Sequence, residues 1–93
     1  MKKDFQKEHL KFALHRGLNK TYCPSEVARS LCGLSWRKYM KITREIADNL
    51  VREGKLEVFQ KNVKQQALPS RLKGPIRLRI SPVYYKNLNQ EHT

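Results

Sequence analysis

The stretch Leu50-Val51-Arg52-Glu53-Gly54-Lys55-Leu56-Glu57-Val58-Phe59-Gln60 changes its hydrophobic period partway, and that change decides the fold. Up to Glu53 the apolar residues recur at helical spacing. From Lys55 they alternate, with Leu56 and Val58, extended by Gln60, on one side and Glu57 and Phe59 on the other. Gly54 stands at the join, where a helix readily ends in a left-handed conformation. Upstream, Met40, Thr43, Ala47 and Leu50, flanked by Trp36, Ile46 and Val51, make the apolar stripe of a helix predicted from Trp36 to Glu53 with Ser35 as its cap. Downstream, Ile76, Leu78 and Ile80 alternate with Arg77 and Arg79, giving a second strand and hence a hairpin. The connection from Lys61 to Pro75 is long for a hairpin and contains Pro69, Gly74 and Pro75, which predicts an irregular, mobile wing.

Towards the N-terminus, Asp4 can cap a helix from Phe5 to Arg16 that buries Phe5, Leu10, Phe12, Ala13 and Leu14 and stops at Gly17. Thr21-Tyr22 reads as a short extended piece. Cys23-Pro24-Ser25-Glu26 opens a second helix, with Pro in its first turn and Glu three residues past the cap; Val27, Ala28 and Leu31 face inward and Gly33 closes it. The order of elements is that of a helix-turn-helix followed by a hairpin, a winged helix of three helices and a two-stranded wing. A plain three-helix bundle would leave the two alternating runs unexplained. The expected core comprises Leu14, Val27, Leu31, Met40, Ala47, Leu50, Val58 and Ile76. The domain is expected over residues 4–82, with 83–93 a tail of no clear pattern in which Tyr84 and Tyr85 either pack on the first helix or stay loose.

Several of these segments together, T-Y-C-P-S-E-V-A-R at Thr21 to Arg29, Trp36-Arg37, R-E-I-A at Arg44 to Ala47, L-V-R-E-G-K-L-E-V at Leu50 to Val58 and G-P-I-R-L at Gly74 to Leu78, carry a resemblance. The chain resembles, from about Phe5 to Ile80, a family of small bacterial domains of unknown function regarded as winged-helix. The resemblance implies the fold. It brings no activity and no site residues.

With 93 residues the chain has material for one core. Its 20 Lys and Arg against 8 Asp and Glu give a formal charge of +12, a field suited to gathering polyanions, nucleic acid first and a membrane surface second. No apolar run reaches the roughly 18 residues of a membrane span, and no signal-peptide stretch opens the chain, so a cytoplasmic protein is expected. Two cysteines, Cys23 and Cys32, cannot build a disulfide framework. His9 and His15 stand about 240° apart around a helix, and His92 lies in the polar tail, so neither a metal site nor any cofactor is expected. There is no Gly-rich phosphate loop, G-x-S-x-G or H-E-x-x-H, and a binding module rather than an enzyme is the expectation. Cys23 at a helix start favours a thiolate but reads more simply as a small cap and core residue.

Two clusters of cations are the candidate nucleic-acid contacts. Between Glu57 and Glu91 there is no acid, while Lys61, Lys64, Arg71, Lys73, Arg77, Arg79 and Lys86 are all positive. Such a strip suits phosphates, because each charge neutralised releases counterions; the plainer reading is a solvated face that blunts strand edges. The second cluster, Arg37, Lys38, Lys41 and Arg44, falls at the start of the third helix, the end a helix-turn-helix points into a major groove. Arg44 is open between a phosphate contact and a pair with Asp48, and Lys41 has Glu45 at the same spacing. Glu26 and Arg29 read as a cap and a surface charge. Trp36, Tyr39 and Phe59 read as core before base-stacking groups. Double-stranded DNA is the first partner on this reading and an acidic protein the second; the oligomeric state is left open.

Overall fold

In the computed structural model, which describes residues 1–90, the first helix, α1 (Lys2–Arg16), buries a single ridge: Phe5, His9 and Ala13, each four residues on from the last. It begins earlier than the Asp4 cap implied, so Asp4 lies inside the first turn, where its charge still complements the helix dipole. A ridge at spacing four leaves Leu14 turned away, 44% exposed, and Leu10 and Phe12 half-buried on its flank. The second helix, α2 (Pro24–Cys32), buries Pro24, Val27 and Ala28; Leu31 is 38% exposed and drops out of the expected core.

The largest departure among the helices is at the α2 exit. Gly33 takes φ 55 and ends α2, but the chain keeps winding as a 3-10 helix over Gly33–Tyr39 before α3 (Met40–Arg52) begins. The helix predicted from Trp36 under a Ser35 cap is therefore two segments. The Thr43 hydroxyl donates to the Tyr39 carbonyl at the start of the true α-helix, 2.5 Å away. On α3 the stripe holds at Thr43, Ile46, Ala47 and Leu50, all buried, while Met40, at the helix start, is only half-buried. Trp36, outside α3, is half-buried too and no core anchor, and Phe59 is half-buried as well, whereas Tyr39, though half-buried, packs against the core with its ring 6.4 Å from that of Phe5.

Among the described residues the strands number three, not two. β1 (Leu56–Gln60) turns tightly into β2 (Val63–Gln65) through Lys61 and Asn62, both at positive φ, the arrangement whose twist suits a two-residue hairpin. β3 (Arg77–Ile80) pairs antiparallel with the other edge of β1, so the order is β2-β1-β3. Leu56, Val58, Leu78 and Ile80 face the core, joined by Ile76 just before β3. Tyr22 exchanges two backbone hydrogen bonds with Leu78, of 2.8 and 2.7 Å, and so seats the chain between α1 and α2 on the free edge of β3.

The connection after β2, expected to be an irregular wing, is tied down instead. Its 3-10 turn at Pro69–Arg71 packs on α3 with Pro69 buried. Asp48, itself buried, accepts from the Ser70 amide (2.9 Å) and hydroxyl (2.5 Å). After Ser81 the supposed tail is a fourth helix, α4 (Pro82–Gln90), with Pro at its first position and Tyr84 and Tyr85 packed against the core. His92 lies outside the described residues. The chain is thus mainly helical with a small three-stranded antiparallel sheet.

A fully buried histidine sits in the core. His9 Nε2 lies 2.9 Å from the Thr43 carbonyl, which can only accept, so Nε2 carries the proton and Nδ1 accepts from the Tyr22 hydroxyl at 2.8 Å. Burial pushes the imidazole pKa down to about 4, against a weaker upward pull from the Thr43 carbonyl, and pushes the Tyr22 hydroxyl well up.

Candidate nucleic-acid interface

The cations predicted at the sheet divide by what they already hold. Register places Glu57 opposite Arg79, and the solvent side of the sheet is built on that pair: Glu57 takes Arg79 at 2.9 Å and Lys64, from β2, at 2.9 Å. Burial works to raise the Glu57 pKa, and the two cations outweigh it and lower it. Arg79 also lies over the Phe59 ring, 4.7 Å from Cζ to centroid, and its buried Nε has no hydrogen-bond partner. Lys64 and Arg79 are thus ion-paired within the chain. Arg77, two residues before Arg79 and on the same face, reaches back to Thr21, with hydrogen bonds of 3.0 Å to the hydroxyl and 3.1 Å to the carbonyl. Those acceptors are neutral, and among the described residues no carboxylate lies within 4.0 Å of it, although its charge helps to lower the pKa of Glu26.

Lys61, Lys73 and Arg77 line one concavity of about 620 Å³, together with Gln60, Val63, Gln65 and Pro75. One wall is the β1–β2 hairpin. The other is the strap at residues 73–75, which Gln60 holds across the opening by donating to the Lys73 carbonyl at 2.6 Å. Among the described residues none of the three cations has a carboxylate within the 4.0 Å of an ion pair. Arg71 is exposed on the 3-10 turn and equally without an acid.

The second cluster separates along the chain. Arg37 and Lys38 lie on the 3-10 segment and not on α3; with Lys41, in the first turn of α3, they are exposed and free of ion pairs among the described residues. Arg44 is half-buried and does not pair with Asp48. Its guanidinium donates to the carbonyls of Leu72 (2.8 Å) and Gly74 (2.7 Å), so α3 itself fixes the strap that walls the concavity. Asp48 is spent on Ser70, which explains why it leaves Arg44 alone.

One residue outside the predicted set joins it. Arg29 does not pair with Glu26, whose carboxylate takes the Cys23 amide (2.8 Å) and Arg16 (2.5 Å) in a bond that lowers the Glu26 pKa. Arg29 Cζ instead lies 4.3 Å from the Trp36 ring centroid, and Arg37 Cζ lies 4.5 Å from the same centroid. Spacing alone hides this, because the 3-10 segment, not an α-helix, carries Trp36 to Arg29. Cys23 and Cys32 are free thiols, and among the described residues no three His, Cys, Asp or Glu side chains are grouped to hold a metal. No helix among them is long and apolar enough to cross a membrane.

A family model described as protein of unknown function (DUF3253) matches residues 2–81, and the chain belongs to that family. The match agrees with the uncharacterised domain family expected from the sequence, and its description assigns no activity. No curated protein matches the chain.

Proposed function

We propose that this DUF3253 domain is a winged helix that binds the backbone of double-stranded DNA, acting by binding and not by catalysis, in the cytoplasm. The observation that carries the reading is the concavity lined by Lys61, Lys73 and Arg77, three cations with no carboxylate partner among the described residues, on a chain of charge +12. A surface kept positive only for solubility has no need to gather its unpaired cations around one opening; a phosphate backbone does, since each contact releases a condensed counterion. On this reading α2, the 3-10 segment and α3 are the helix-turn-helix, and the β1–β2 hairpin is the wing. Arg37, Lys38 and Lys41 approach the duplex at the helical end, and Lys61, Arg71, Lys73 and Arg77 meet its phosphates at the wing. Lys64, Arg79 and Arg44 have mainly structural work, which reduces the set proposed to touch phosphate.

The reading is tested by fluorescence anisotropy with labelled duplex DNA, single-stranded DNA, RNA and anionic vesicles at low salt. Tightest binding to the duplex supports it. Vesicle binding without duplex binding, or no binding to any of the four, overturns it. A second reading, docking to an acidic protein, draws on Leu34, which is fully exposed at 102% in a stretch of sequence that carries Arg29, Arg37 and Lys38 and no acid.

A further inference from the structure

We propose that Arg29 and Arg37, gathered on the Trp36 indole between α2 and α3, form a clamp for phosphodiester groups, an inference that rests on the nucleic-acid reading above. Both guanidinium carbons lie within 4.5 Å of one ring centroid. Their charges are therefore within a Debye length, about 8 Å at physiological salt, or little beyond it, and they repel each other. Among the described residues neither arginine has a carboxylate within 4.0 Å to relieve that repulsion, and neither donates a side-chain hydrogen bond. The indole face supplies the attraction that holds them there.

The geometry suits an anion from outside. Each guanidinium lies over the ring and donates no side-chain hydrogen bond among the described residues, and a free N–H edge is what grips a phosphate with two parallel bonds. Both arginines are exposed. A DNA strand offers a charge about every 3.4 Å of axis, so two forks fixed on one ring can meet phosphates of the same strand. Lys38 and Lys41 continue the positive surface towards α3, with no acid in sequence between Arg29 and Arg44. Trp36 touches no phosphate in this arrangement; it is a positioning residue for the two that do.

Trp36 is the only tryptophan, so its emission reports on the clamp. The full chain is titrated with a labelled duplex at low salt, reading duplex anisotropy and Trp36 emission together, and with a poly-glutamate peptide as a second probe. The clamp predicts an emission change with the same midpoint as the anisotropy, and no comparable change with poly-glutamate. Arg29→Ala should flatten the slope of log affinity against log salt by about 0.9, one phosphate contact. Trp36→Ala should weaken the duplex as Arg29→Ala does, and Trp36→Phe, which keeps a ring, should restore most of it; unchanged thermal unfolding shows that each variant is folded. Duplex binding with a silent Trp36 and a wild-type slope in Arg29→Ala overturns the clamp and leaves the nucleic-acid reading standing. Equal affinity for poly-glutamate overturns the choice of phosphate. No duplex binding at all removes the reading and the clamp with it.

Discussion

The Nδ1 atom of His9 accepts a 2.8 Å hydrogen bond from the Tyr22 hydroxyl in the middle of the core, and this contact joins α1 to the residue that seats the chain on β3. With Nε2 bonded to the Thr43 carbonyl, the imidazole links α1, the sheet edge and α3, and burial favours its neutral form, in which both nitrogens are hydrogen-bonded.

Stability should therefore depend on pH in a defined window. The folded pKa of His9, about 4, lies below its unfolded value of 6.5, so between them the unfolded chain binds the extra proton. The contribution is complete above pH 6.5 and is lost as pH falls towards 4, by roughly 3 kcal/mol in all. Urea midpoints measured from pH 7.5 to 4 should fall in the wild type and fall less in His9→Leu. Parallel declines in the two proteins would remove His9 as the cause.

Truncations of three leucines should separate core from surface. Leu50, 1% exposed, should lose about 2–5 kcal/mol on replacement by Ala, the range for a cavity in a packed core. Leu14→Ala and Leu31→Ala should cost under about 1 kcal/mol, since much of each side chain is already in water. Equal losses at all three in chemical denaturation would contradict the ridge assigned to α1 and the burial of α2.

The leucine contrast also shows what could be read from the residues in advance. The period change at Gly54 and the α3 stripe from Thr43 to Leu50 were legible because burial there follows simple repeats. Leu14 and Leu31 misled because hydrophobicity names candidates for burial without saying which way a helix turns. His9 escaped notice as core because a polar residue becomes core only through partners 13 and 34 residues away. The Lys61-Asn62 turn gave one usable signal, an Asn, which tolerates positive φ; Lys61 gave none. At the candidate site charge was visible in sequence, but pairing was not. Lys64 and Arg79 share Glu57 only because of the strand register, and Arg44 reaches the strap across 28 and 30 residues.

The strap gives a third prediction. Arg44→Ala removes both bonds to the Leu72 and Gly74 carbonyls, which water can replace, so the global cost should be modest, about 1 kcal/mol. Local opening should rise far more, and trypsin should cut after Arg71 or Lys73 several times faster than in the wild type. Asp48→Asn, which weakens the hold on Ser70, should act in the same direction. Cleavage at the wild-type rate in both variants would show that the strap is held by other contacts.

The most direct test of the proposed function is the salt dependence of duplex DNA affinity in the wild type and in a Lys61→Ala, Lys73→Ala, Arg77→Ala triple variant. If the two clusters together neutralise about five phosphates, log affinity should fall with log salt at a slope near −4 to −5, about −0.9 per phosphate. Loss of the three cations lining the concavity should flatten it by about 2 to 3, whereas Arg79→Ala, whose charge is already paired with Glu57, should leave it near the wild-type value. A triple variant that folds, binds duplex DNA and keeps the wild-type slope would contradict the account.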